Sequence, residues 1–341
     1  MEYLKFFYSS PPSIEINLKS NGHKSYKYIT KDNKIIEYPT FYDNDEISGN
    51  IILKLNNTKS LIYEYVSINI CGILTIDSQN SKIKTEIYKE CQELTGKKSP
   101  NIITNEITNF SFNFTPKIKP YETYKGSLLQ IRYYINAIIK TNNTNSPPLI
   151  EKQIEIVCLK LPKKEICDKI YLKEKNKEKK EINIGVENVI HVRINLLKTK
   201  FFLDDVIIGK IKIIKSEIEL NSIFLTIKRE EKYYQLDDIK VKNEDLSNYE
   251  IAEGFIEQGD ELCFKYFLKN IKNLTPSYDY KNDNNNKISV KYYLCFCFND
   301  EQGYQFFKHI EIDIYRMNVS DIDKEEAKFI SIRNLMKDED K

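Results

Sequence analysis

One stretch of this chain returns about half its length later. Asp45-Glu46-Ile47-Ser48-Gly49-Asn50-Ile51-Ile52-Leu53 reappears as Asp205-Val206-Ile207-Ile208-Gly209-Lys210-Ile211-Lys212-Ile213, an offset of 160 positions (209 minus 49). A second pair, Gln130-Ile131-Arg132-Tyr133-Tyr134-Ile135 and Ser289-Val290-Lys291-Tyr292-Tyr293-Leu294, is offset by 159 (292 minus 133). Two unrelated coincidences would not share an offset, and this one far exceeds the roughly 20–50-residue period of a solenoid. It is the length of a domain. A chain of 341 residues is therefore constrained to two similar domains in tandem.

Period-two alternation says what those domains are made of. Leu129, Ile131, Tyr133, Ile135 and Ala137 alternate with Gln130, Arg132, Tyr134 and Asn136, and Ile190, Val192, Ile194 and Leu196 alternate with His191, Arg193 and Asn195. Ile14, Ile16 and Leu18, and later Ile310, Ile312 and Ile314, repeat the pattern. Abundant Ile, Tyr, Val and Phe with no sustained helical stripe predict an all-β fold of antiparallel strands, arranged as two β-sandwiches. Within the repeated unit, the acidic residue closes a turn and the glycine marks a bulge or a close backbone approach. Lys119-Pro120-Tyr121 and Leu274-Thr275-Pro276 each lead towards a Tyr-Tyr strand.

The expected division is a sandwich over 1–160, a charged linker or insertion over 161–183, a second sandwich over 184–316 and a charged tail over 317–341. Lysine and glutamate interleave through the 161–183 segment, which reads as a solvated insertion rather than a basic membrane patch.

The charge balance, 52 basic against 50 acidic residues, leaves no basic field for gripping nucleic acid. Met1 to Phe7 lack the apolar run of a signal peptide, and no later run is long enough to span a bilayer, so a cytoplasmic location is expected. Seven cysteines without paired spacing fit a reducing compartment. Cys295 and Cys297 share one strand face and read as core or semi-core residues. His23, His191 and His309 are far apart and form no metal spacing. Phosphate loops, nucleophile elbows and paired metal-ligand motifs are absent. No catalytic residue, metal or cofactor is expected, and the remaining function is recognition by sheet edges and end loops.

Four ordered segments carry a resemblance. Phe41-Tyr42-Asp43-Asn44-Asp45-Glu46-Ile47-Ser48-Gly49, Lys119-Pro120-Tyr121-Glu122-Thr123-Tyr124-Lys125-Gly126, Gly185-Val186-Glu187-Asn188 with Asp205 to Ile211, and Tyr249-Glu250-Ile251-Ala252-Glu253-Gly254 closely resemble the vacuolar protein sorting 26 family. That family is the arrestin-like subunit of retromer, and the similarity runs from about Phe41 to Arg316. It implies two arrestin-like antiparallel β-sandwiches and a non-enzymatic role in endosomal sorting, peripheral to the membrane.

The resemblance also implies partners. A loop of the second domain, matching Tyr249, Ile251, Ala252, Glu253 and Gly254, would grip the vacuolar protein sorting 35-like solenoid subunit and link the chain through it to the remaining retromer subunit. Ile251 and Ala252 would be the inserted apolar pair. Ala252 stands where the family usually has methionine and would bury less apolar area in the partner, a loss of about 1–2 kcal/mol unless the partner compensates. Ile184 and Phe307 match the positions that hold a sorting nexin and the cytosolic tail of a transmembrane cargo. The competing reading is another arrestin-like trafficking adaptor.

Overall fold

The structure is a computed structural model, and it describes residues 11–22, 26–29, 35–56, 59–78, 81–95, 101–142, 148–162, 180–186, 189–235, 238–272, 274–281 and 287–316. Most of the 161–183 insertion and all of the 317–341 tail lie outside these, as does His23. The chain divides into two compact units, Met1–Lys160 and Leu161–Lys341.

The first unit contains β1 (Ser13–Leu18), β2 (Tyr26–Ile29), β3 (Ile35–Tyr38), β4 (Thr40–Tyr42), β5 (Ile47–Lys54), β6 (Leu61–Ser78), β7 (Ser81–Glu93), β8 (Asn101–Ile103), β9 (Ile107–Phe114), β10 (Tyr124–Lys125), β11 (Leu129–Thr141) and β12 (Leu149–Leu159). The second contains β13 (Lys180–Val186), β14 (Ile190–Leu196), β15 (Lys200–Phe202), β16 (Val206–Ser216), β17 (Leu220–Gln235), β18 (Asp238–Ile256), β19 (Glu261–Phe267), β20 (Tyr278–Lys281), β21 (Lys287–Asp300) and β22 (Gln305–Tyr315). Strand β13 begins four positions before the sequence boundary at 184, because Ile182 and Ile184 keep alternating opposite Ile194 and Val192.

The duplication extends to topology. Besides the separate β2-β3 ribbon, one sheet of the first unit runs β1-β5-β9 and another β4-β12-β11-β6-β7; their counterparts run β13-β14-β16-β19 and β15-β22-β21-β17-β18. Every long pairing is antiparallel, whereas β4 joins β12 and β15 joins β22 in parallel. Tyr63 of β6 meets Phe110 of β9 at 6.3 Å between ring centroids, and Phe264 of β19 meets Phe296 of β21 at 5.6 Å. These aromatic contacts close each pair of sheets into a sandwich. The alternation seen in sequence becomes burial: Ile131, Tyr133, Ile135 and Ala137 are wholly buried, as are Ile194, Ile211 and Ile213.

The repeated motif has one physical basis in both units. Asp45 Oδ2 accepts the Tyr42 N–H at 2.5 Å, and Asp205 Oδ2 accepts the Phe202 N–H at 2.7 Å. Each carboxylate thus closes the turn after the short parallel strand. Gly49 and Gly209 mark close approach and no bulge, since pairing runs unbroken through both. A Cβ at Gly209 would stand 2.5 Å from the Phe264 ring and 2.9 Å from the Asn195 carbonyl, and one at Gly49 would strike the Asn17 carbonyl and the Phe112 ring. The two loops with proline are tied similarly. The Tyr133 hydroxyl donates to the Tyr121 carbonyl at 2.6 Å, and the Tyr292 hydroxyl lies 2.9 Å from Thr275 Oγ1.

Candidate protein-interaction site

Strand β18 ends the larger sheet of the second unit, and its pairing with β17 is interrupted three times. Ile227 faces Ser247 while Lys228 faces Asp245, so Leu246 is an extra residue. Ile223 faces Ala252 while Phe224 faces Glu250, so Ile251 is another. Leu220 faces Ile256 and Ser222 faces Glu253, leaving one surplus residue within Gly254-Phe255. Each bulge bends the strand and re-aims the side chains that follow.

The segment expected as a loop, Tyr249 to Gly254, is therefore strand. Bulges carry its polar residues past the core without breaking the ladder. Tyr249 stands opposite Leu225 and packs on Tyr266 of β19, with ring centroids 5.3 Å apart at 65°. Simple alternation from Tyr249 would send Ile251 inward next. The extra residue changes that outcome: Ala252 stands opposite wholly buried Ile223, and Ile251 is left half-buried at the edge. Ala252 thus lies on the interior-facing phase rather than beside Ile251, which fits its small size. Glu253 is exposed, Gly254 has φ +100°, a conformation glycine adopts without a Cβ penalty, and Phe255 is 68% exposed.

Phe307 sits on β22 and is 54% exposed. The even-numbered residues Ile310, Ile312 and Ile314 face the core, and Phe307 shares the outward phase with His309 and Glu311. Phe307 therefore does not belong to the core. Ile184 is half-buried on edge strand β13, opposite buried Val192. The two residues lie on different sheets and do not share a face.

Phe307 instead joins another row. It stands opposite Cys297, Cys297 opposite Phe224, and Phe224 opposite Glu250, the residue before the bulge at Ile251. Three interstrand steps make this row roughly 14 Å long. It connects the two positions that sequence treated as separate sites. Cys297 Sγ lies 3.1 Å from Asn299 Oδ1, and the Asn299 amide donates to Ser222 Oγ at 2.8 Å. Burial raises the Cys295 and Cys297 thiols, and burial with nearby Lys228 lowers the His309 imidazole. From Phe307 to Phe224 the row presents two aromatic rings and a thiol, suited to an apolar side chain, before it reaches the Glu250 carboxylate. Cys295 and Cys297 are indeed core or semi-core, at 4% exposed and half-buried, but on the outward phase.

Sequence reading missed Phe224 and Phe255. Phe224 carried a usable signal, since it is an aromatic on the polar phase of Ile223, Leu225 and Ile227. Among the described residues no helix is long and apolar enough to cross a membrane.

Paired sandwiches with a bulged edge strand define a two-unit arrestin-like β-protein. Residues 8–303 match the family described as Vacuolar protein sorting-associated protein 26. The chain is 28% identical to Vacuolar protein sorting-associated protein 26B of Mus musculus and of Homo sapiens over 316 residues, 91% of this chain and 87% of each relative. It is 27% identical to the protein of the same name in Arabidopsis thaliana over 320 residues, 93% of this chain and 98% of that one. The chain belongs to the vacuolar protein sorting-associated protein 26 family, the retromer family of protein-sorting subunits.

Proposed function

We propose that this chain is a non-enzymatic adaptor that docks a vacuolar protein sorting 35-like helical solenoid along the bulged end of β18. Ile251, Glu253 and Phe255 form the contact, and Tyr249, Ala252 and Gly254 shape the strand that presents them. The observation that carries the reading is the bulge itself. It withdraws an isoleucine from a core position and leaves it half-buried at an edge near exposed Phe255, where a partner can cover both.

The outward row from Phe307 through Cys297 to Phe224 then receives an apolar side chain from a cargo tail, held beside a sorting nexin. Its continuity with Glu250 and Ile251 lets the solenoid and the cargo contact one sheet. Ile184, on another sheet, takes part only in nexin contact at the edge of β13. Association with endosomal membrane follows from the complex rather than from a membrane-spanning segment.

The test is calorimetry with the cognate solenoid subunit. Ile251→Asp should weaken binding by about tenfold or more, the usual scale for truncating or charging an interface anchor, while leaving the sandwich folded. Unaltered affinity in a folded variant removes the assigned interface.

A further inference from the structure

The first half of β18 is paired against its own hydrophobic pattern. Ile239 and Val241 point outward, 56% and 47% exposed, whereas Lys240 and Lys242 stand opposite Tyr233 and Glu231, which are 3% and 1% exposed. Alternation alone would choose the opposite phase.

A buried ionic set opposes that preference. Arg229 is 3% exposed; its Nη2 lies 2.6 Å from Glu244 Oε2 and its Nε 3.4 Å from Glu231 Oε1. Removing a buried arginine's partner is severe, because the remaining charge is left uncompensated. The next residue, Asp245, points outward to Lys228 at 3.7 Å, and Leu246 is the extra residue of the bulge. Taking Leu246 into the ladder would move residues 238–245 by one place while Ser247 to Ile256 kept their partners. Asp245 would then stand opposite Arg229, Asn243 opposite Glu231 and Val241 opposite Tyr233. The connection between β17 and β18 would lengthen from two residues to three, both common hairpin lengths.

We propose that residues 238–245 exchange between these two registers, with Arg229 as the fixed pivot and Glu244 and Asp245 as alternating partners. The observed register displays Ile239 and Val241 and keeps the Leu246 bulge. The second turns Val241 onto Tyr233, withdraws the exposed pair and straightens this part of the edge. Consecutive carboxylates satisfy the buried guanidinium in both states, which is the requirement a slip of one residue must meet. The inference goes beyond the docking role assigned to Ile251, whose neighbours Glu250 and Ala252 keep their partners in both registers.

The test places a reporter cysteine at an exposed outward position of the full chain, Asn243→Cys, and follows its alkylation by mass spectrometry of the peptide. Glu244→Gln should favour the second register, turn position 243 inward and slow the reaction by about tenfold. Asp245→Asn should leave it at or above the starting rate. Equal rates in both backgrounds, or changes of the same sign, overturn the proposal. Buried Cys295 reports whether the second unit stays folded, and buried Cys158 whether the first does. Should Glu244→Gln unmask them, deletion of Leu246 is the arbiter: with no surplus residue to redistribute, position 243 must alkylate at the starting rate with or without Glu244→Gln. Slowing in the deletion background overturns the two-register account.

Discussion

Phe307 and Phe224 stand in one outward row of the larger C-terminal sheet, with Cys297 on the strand between them. A ligand side chain laid on Phe307 therefore meets a floor that continues towards the bulged edge. Phe307→Ser is expected to weaken binding of a cargo peptide in the presence of the nexin by about tenfold while leaving solenoid binding intact, since an exposed anchor contributes to contact rather than to the fold. Phe224→Ser should act in the same direction. Titrations in which both variants match wild type would take the row out of the cargo site.

Ile251 and Ala252 are adjacent yet differ in phase, so the same substitution should do different things at each. Ile251→Asp should lower solenoid affinity with little change in Tm. Ala252→Asp should lower Tm by several degrees, because it directs a carboxylate towards wholly buried Ile223. Thermal melts in which Ile251→Asp is the more destabilised of the two would show that Ile251 belongs to the core.

The close approach at Gly209 predicts overpacking. Gly209→Ala should destabilise the second unit by about 1–3 kcal/mol, the usual cost of forcing a group into a filled space. Trimming the obstructing ring with Phe264→Leu should recover part of that loss in the double variant. Denaturant curves that give simple additivity would mean the ring is not what the methyl meets.

Thiol chemistry should follow burial. Cys158 is wholly buried and its thiol is pushed up to about 12, chiefly by desolvation, whereas Cys91 and Cys263 are exposed. Because the thiolate is the reactive form, Cys91 and Cys263 should alkylate first at neutral pH and Cys158 only on unfolding. Early modification of Cys158 in a folded sample would contradict this packing.

Much of the fold was legible because it is written in a short code. Period two is read directly from residues such as Leu129 to Ala137, and the Asp-x-Ile-x-Gly repeat gives the duplication because turn closure by Asp45 and Asp205 is local chemistry. The edge was not legible in the same way. A bulge adds one residue without a signature of its own, so Tyr249 to Gly254 read as a loop when it is strand. Alternation also cannot say which strands flank a residue, so the aromatic on the polar phase at Phe224 becomes a site residue only once its neighbours are placed. The pairing of Phe307 with Cys297, and of Cys297 with Phe224, joins residues far apart in sequence, and only the sheet order reveals it.

The parallel pairs at the start and end of each unit have a consequence for synthesis. Phe41 awaits Cys158 and Phe201 awaits Ile314, so neither sandwich can close until its last strand has left the ribosome. Such distant pairings form slowly. The first unit, whose last strand ends at Leu159, can therefore finish while the second is still being translated.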